Sequence, residues 1–198
     1  GEPFLPETRE IVTHICKKAS SLGATSFGAI TNGTHLDLYL DLLAAYPFRT
    51  IQITLDGPKD IHDKRRFLKD GSGTFDSIMK NIEAFLESSS SAYLSIRVNV
   101  DASSQNAALA VSQLFEEAGF MKYDHFSFYC HTVSGDESTG KHLDNAELPP
   151  ELRGDGRDYA KLLEHGGYFP FRFNYCGANN GLYTIDPFGN IFACWDHV

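Results

Sequence analysis

A short apolar run, Ile51-Gln52-Ile53-Thr54-Leu55, stops at Asp56-Gly57-Pro58 and hands over to His62-Asp63-Lys64-Arg65-Arg66. In parallel α/β folds ligands sit beyond the carboxyl ends of the strands, so this polar cluster is a candidate binding site. An arginine there offers a planar fork for bidentate recognition, which a lysine cannot. Local physics alone also permits a plain strand, a Gly-Pro turn and a solvated charged loop running to the next helix. A second set is Arg97 and Asn99, embedded in an apolar strand pattern. A charge at such a place is costly unless it faces a polar interior, so both are expected on an inward polar face. The third set is Cys176 and Cys194, separated by a hairpin pattern around Pro187-Phe188-Gly189-Asn190 that would bring them back toward each other. Two such thiols could be free, joined as a disulfide, or metal ligands. His62 and Asp63 could in principle form an acid–base pair, although neighbouring residues in an extended segment point apart.

These residues need a frame. Residues 7–21 carry Ile11, Val12, Ile15 and Ala19 at helical spacing and stop at Gly23. Strands are predicted over 25–30, 50–55, 93–100 and 126–131. Helices are predicted over 36–45, from Thr74 as N-cap to about residue 86, and over 105–118. This alternation specifies βα units and a parallel sheet curling into part of a barrel, with the strands as neighbours in chain order. Residues 133–172 lose the rhythm and read as an irregular linker with a short helix near 159–165. Residues 173–198 form a separate C-terminal segment.

Composition narrows the function classes. A net charge of -9 argues against a nucleic-acid partner, which needs a basic face to release counterions. No apolar run is long enough to span a membrane and no secretory segment is present, so a cytoplasmic protein is expected. Four cysteines in 198 residues are too few for a disulfide scaffold, and Cys16 and Cys130 are expected to be buried small hydrophobes. The chain opens at Gly1-Glu2-Pro3 without a methionine and stops soon after Cys194. It therefore reads as an excised piece of a longer protein.

The string from Ile53 through Asp56-Gly57-Pro58, His62-Asp63 and Arg66 to Gly73-Thr74-Phe75 resembles the middle of a radical S-adenosylmethionine (SAM, AdoMet) enzyme. The branch it resembles carries a C-terminal SPASM or twitch domain and includes anaerobic sulfatase-maturating enzymes and peptide maturases. Gly1-Glu2-Pro3, Ile30-Thr31-Asn32-Gly33 and the Cys176 to Cys194 segment occur in the order of that family. The resemblance implies a partial (βα) barrel over residues 1–132 and the start of an auxiliary cluster domain over residues 173–198.

It also implies roles. Glu2 would hold the SAM amino group, and Thr31, Asn32 and Thr54 would reach its ribose. Arg66 would pair with its carboxylate, and Arg97 and Asn99 would contact it from the sheet. Cys176 and Cys194 would be thiolate ligands of an auxiliary 4Fe-4S cluster, and Asp196 a proton acceptor. The parent enzyme would cleave SAM reductively to a 5'-deoxyadenosyl radical and abstract hydrogen from a peptide or protein substrate. Its electrons would come from a flavodoxin or ferredoxin. The family's Cys-x-x-x-Cys-x-x-Cys loop is not in this chain, so the piece alone is expected to be inactive. The rival reading is a degenerate barrel that has become a peptide-binding module.

Overall fold

The computed structural model describes residues 1–24, 26–101, 105–132, 152, 184–185 and 191–192. Two compact units are present, Glu2–Gly166 and Gly167–Val198, the latter with Gly1. In the first, a turn of 3-10 helix at Pro6–Thr8 leads into α1 (Arg9–Ser21) and β1 (Phe27–Thr31). A 3-10 turn at Leu36–Tyr39 then precedes α2 (Leu40–Ala45) and β2 (Phe48–Leu55). Next come α3 (Lys59–Arg65), α4 (Phe75–Leu86), β3 (Tyr93–Val100), α5 (Gln105–Glu117), a 3-10 turn at Phe120–Lys122 and β4 (Phe126–Thr132). The four strands form one sheet in the order β1-β2-β3-β4. Each neighbouring pair is parallel, as the alternation of strand and helix requires. In the second unit, β5 (Thr184–Ile185) and β6 (Ile191–Phe192) pair antiparallel, the arrangement of a hairpin.

Register divides the sheet into two chemically different faces. Ile51, Ile53 and Leu55 of β2 align with Leu94, Ile96 and Val98 of β3, and these with Phe126, Phe128 and Cys130 of β4. This face carries the core: Ile78, Ile82 and Phe85 of α4 and Val111 and Phe115 of α5 join it in one buried cluster. Fully burying each such side chain contributes about 1.5–3 kcal/mol. The intervening residues form the opposite face. Gln52 aligns with Ser95 and Ser127, Thr54 with Arg97 and Tyr129, and Asn99 with His131. Tyr129 donates its hydroxyl hydrogen to Gln52 Oε1 at 3.2 Å, a bond that spans the intervening β3. Polar residues in strands of a parallel sheet therefore sort to one side, as expected for Arg97 and Asn99.

Three elements differ from the sequence reading. The segment after Pro58 is the helix α3, not a loop. Pro58 sits at its N-cap with φ -66°, Asp60 lies in its first turn, and Lys64 and Arg65 lie in its last, all favourable to a helix dipole. It has only 7 residues, too few for periodicity to reveal it. On α1 the buried side is Cys16 with Val12 packed beside it, while Ile11 and Ile15 are 60% and 54% exposed. The apolar arc of this helix is wider than the stripe its neighbours cover. Thr74 does occupy the N-cap of α4, but its side chain makes no capping bond. Asp63 Oδ1 instead accepts the Phe75 N–H at 2.9 Å.

Cys16 and Cys130 are buried as expected, and burial pushes the Cys130 thiol up to about 12. Replacing Ile96→Ala, at 0% exposure between β2 and β4, is expected to cost about 2–5 kcal/mol in urea unfolding. Ile30→Ala, at 66% exposure on the edge strand β1, is expected to change stability by no more than about 0.5 kcal/mol.

Candidate functional site

The carboxyl end of β2 is organised around Asp56. Its side chain is only 12% exposed, so a charge there must be paired. Arg66, immediately after α3, meets it side-on: Nε donates to Oδ2 at 2.7 Å and Nη2 to Oδ1 at 3.3 Å. Asn99 on β3 donates from Nδ2 to the same Oδ1 at 2.8 Å. Arg97 in turn donates from Nε to Asn99 Oδ1 at 3.0 Å, and its Nη2 lies 3.1 Å from His131 Nδ1. A hydrogen-bonded chain thus runs from β4 across β3 to β2 and α3. Burial opposes ionisation of Asp56, but the bonds from Arg66 and Asn99 and the nearby guanidinium charge outweigh it, so its pKa lies below the usual value.

Backbone conformation puts these groups within reach. Gly57 has φ +115°, a conformation that lets the chain turn away directly after Asp56 and that side chains with a Cβ rarely adopt. His62 then reaches back from α3. Its Nδ1 accepts the Asp56 N–H at 3.2 Å, which places the ring proton of the neutral tautomer on Nε2, 3.0 Å from Thr74 Oγ1. The Thr74 hydroxyl donates to the Arg66 carbonyl at 3.1 Å. Asp63 points elsewhere, to the Phe75 N–H and to Lys59 Nζ at 2.9 Å. A Cβ at Gly73 would lie 2.1 Å from the Asp63 carboxylate carbon, so only glycine admits this approach. His62 and Asp63 accordingly serve two different structural bonds and do not form an acid–base pair.

Glu2 anchors a neighbouring strand end. Its Oε1 accepts from Thr31 Oγ1 at 2.5 Å and from Phe4 N–H at 3.0 Å, and its Oε2 accepts from Asn32 N–H at 2.6 Å. Thr31 aligns with Ile53, on the core face, and is buried. Its hydroxyl oxygen also accepts the Gly33 N–H at 3.1 Å. Asn32 Oδ1 accepts from the Thr34 N–H and hydroxyl at 2.9 and 2.7 Å, an Asx turn.

The expectation that Thr31, Thr54, Arg66, Arg97 and Asn99 share one surface therefore needs correction. Thr54, Arg97 and Asn99 share the polar face, and Arg66 joins them through Asp56. Thr31 belongs to the other face because strand alternation puts it in register with Ile53. Arg65, the residue before Arg66, donates to Asp101 Oδ2 at 2.5 Å. Cys176, Cys194 and Asp196 lie outside the described residues, as does the linker apart from Leu152. Asp56 is the site residue that motif reading left without a role, and His62 is a structural partner where an acid–base role was considered. Their signal was present: an acid and an imidazole flanking a Gly-Pro turn at a strand end.

A cavity of about 340 Å³ opens beside Arg66, lined also by Asn32, Thr34, His35, Arg65 and Phe67 among others. That volume falls in the range of small-molecule pockets. The family model described as the Radical SAM superfamily matches residues 1–99, half of the 198-residue chain. The chain belongs to the radical SAM superfamily. No curated protein matches it significantly. Among solved structures it is similar to native anSMEcpe, an anaerobic sulfatase-maturating enzyme, with bound AdoMet. It is similar also to native anSMEcpe with bound AdoMet and the Cp18Cys peptide. Both align at 22% identity with a TM-score of 0.50 over 83% of this chain, and over 42% and 43% of theirs. The chain thus spans about two fifths of the length of these structures, and the likeness is one of fold.

The described residues of this radical SAM chain suit one of the family's two cofactors. A guanidinium carries five N–H donors; Asp56 takes two of those of Arg66 and leaves three for an anionic group of a ligand such as SAM. An iron–sulfur cluster finds no such fit. No group of three or more His, Cys, Asp or Glu gathers among the described residues, and the Cys16 and Cys130 thiols are both raised by burial.

Acid should weaken this site in a defined way. Burial first, and then the Arg66 charge, hold the His62 pKa below its ordinary 6.5. Between that depressed value and about 6.5 the unfolded chain takes up a proton that the folded one refuses, so stability falls as pH drops through about 6.5. In His62→Asn, urea unfolding at pH 7 and pH 5 should show a smaller loss on acidification than in the parent chain. An equal loss in both would place the histidine's proton outside the folding equilibrium.

Proposed function

We propose that this chain supplies the SAM-binding part of a radical SAM enzyme that acts on a peptide or protein substrate. The observation that carries the reading is the Asp56–Arg66–Asn99 cluster at the strand carboxyl ends of a chain belonging to this superfamily. In this reading Arg66 grips the amino-acid carboxylate of SAM, and the Glu2 carboxylate with the turn it fastens receives the ammonium. Asn32 and Thr54 line the approach at the ends of β1 and β2, and Arg97 and Asn99 hold the polar face behind it. When bound and reduced, the cofactor pair supplies a carbon radical able to remove a hydrogen atom from the substrate. The residues described here bind and orient; they provide no cluster ligand.

The C-terminal unit belongs to the same proposal. Residues 173–198 would open a SPASM or twitch domain after a linker over residues 133–172. Cys176 and Cys194 would be ligands of an auxiliary 4Fe-4S cluster, and Asp196 would accept a proton from the substrate. The pairing of Thr184–Ile185 with Ile191–Phe192 supports a hairpin between the two cysteines. A peptide substrate is supported by the fold likeness to peptide-bound anSMEcpe. A flavodoxin or ferredoxin would supply electrons. No helix among the described residues is long and apolar enough to cross a membrane, and the net charge of -9 does not suit nucleic acid; a cytoplasmic site of action is consistent with both.

The deciding experiment is anaerobic reconstitution of the full-length gene product with iron and sulfide, followed by reduction with SAM and assay of 5'-deoxyadenosine. Formation of 5'-deoxyadenosine is expected; none from a protein that nonetheless binds peptide would favour a degenerate binding module. In the same protein Arg66→Ala should weaken SAM binding by about 1.5–3 kcal/mol, the scale of a charge-assisted hydrogen bond, measured by calorimetry. Replacing Cys176 and Cys194 together by alanine should remove about one cluster's worth of iron and spare the catalytic cluster. Unchanged iron content in that double variant would return the two cysteines to an ordinary hairpin.

A further inference from the structure

Arg66 can serve a ligand only if its guanidinium is held in one place, and its own position in the chain does not do this. It follows the last residue of α3 in an extended conformation, φ -127° and ψ 104°, with its side chain 33% exposed. Its main chain is fixed: the N–H donates to the His62 carbonyl at 2.7 Å, and the carbonyl accepts the Thr74 hydroxyl at 3.1 Å. Among the described residues the side chain is fixed by one group, Asp56.

We propose that Asp56 is a positioning residue that presents Arg66 to the amino-acid carboxylate of SAM; this rests on the SAM-binding reading above. The geometry of the pair supports it. Side-on pairing through Nε and Nη2 fixes the guanidinium plane and turns its remaining donors away from Asp56, toward whatever ligand enters. The carboxylate is itself held against rotation, because Asn99 Nδ2 binds Oδ1 while the Asp56 N–H is tied to His62. Asn99 cannot turn its amide over, since Arg97 Nε occupies its carbonyl oxygen. Asn99 therefore acts through Asp56, and Arg97 acts through Asn99.

A carboxylate is required at this position. Oδ2 accepts from Arg66 Nε, and Oδ1 accepts from both Arg66 Nη2 and Asn99 Nδ2. An asparagine of the same shape would have to aim its NH₂ at one of these donors. Asp56 also has an opposing effect, because its negative charge repels the carboxylate of the ligand. The two roles predict opposite signs. Loss of positioning weakens SAM binding, whereas mere relief of repulsion strengthens it.

The test uses the full-length, cluster-reconstituted protein and two ligands in calorimetric titrations: SAM, and 5'-methylthioadenosine, which lacks the amino-acid carboxylate. Asp56→Asn is expected to raise the Kd for SAM by about 10-fold and the Kd for 5'-methylthioadenosine by less than about 2-fold. In an Arg66→Ala background the same change should shift SAM affinity by less than about 2-fold, since the residue through which Asp56 acts is gone. Should Asp56→Asn fail to fold, Asn99→Ala, which leaves the ion pair, is expected to weaken SAM by about 3-fold without affecting 5'-methylthioadenosine. Equal weakening of both ligands would reduce Asp56 to a structural role, and tighter SAM binding would show that repulsion dominates; either overturns the assignment. Absence of SAM binding by the unsubstituted protein removes the function it rests on as well, whereas SAM binding that Asp56→Asn leaves unchanged removes this assignment alone.

Discussion

A carboxylate buried at the end of a parallel strand has to find a cation or lose its charge, and the way Asp56 resolves this shapes the whole carboxyl edge of the sheet. Its partners come from three separate elements: Arg66 from beyond α3, Asn99 from β3, and the His62 ring from within α3. Each of these is in turn bonded onward. Without the ion pair, the turn after β2, the seat of α3 and the polar residues of β3 would have no common anchor. The low dielectric that makes an unpaired charge costly is what couples these pieces to each other.

His62 contributes in the neutral form. It has no solvent exposure, accepts at Nδ1 and gives its proton to a threonine, so it is a fixed polar strut and has no free lone pair for acid–base work. Its neighbour Asp63 faces the start of α4, where it satisfies an amide that has no partner within the helix. One short helix thus fastens the strand end on one side and the following helix on the other. A close approach of Asp63 to Gly73 makes this possible, and any side chain at that glycine would block it.

The two faces of the sheet divide the labour. Apolar residues of β2, β3 and β4 lie against α4 and α5 and supply the burial that holds the unit together. The opposite face carries Thr54 together with Gln52, Arg97, Asn99, Tyr129 and His131, and the side chains of these last five bond to one another or reach the strand-end cluster. This separates the residues whose burial stabilises the fold from a polar network on the other face. Changes in that network can therefore be made without first emptying the core.

Much of this was legible in the sequence, for a local reason. Strands and helices announce themselves by periods of two and 3.6, so the four parallel strands, their order and the inward polar placement of Arg97 and Asn99 follow from residue types alone. Motif spacing likewise marked the Asp56 to Arg66 segment as the place where chemistry gathers. What the sequence could not decide depends on distances between residues far apart in the chain. That α3 is a helix rests on seven residues and the anchoring of His62 between Asp56 and Thr74, contacts that no periodicity encodes. Which side of α1 is buried depended on what its neighbours cover, and Thr31 fell on the core face because its register with Ile53 overrode its position at a strand end. Asp56 could be seen as an acid at a turn, but its role as the meeting point of Arg66 and Asn99 exists only once 10 and 43 residues of chain separation have been closed by the fold.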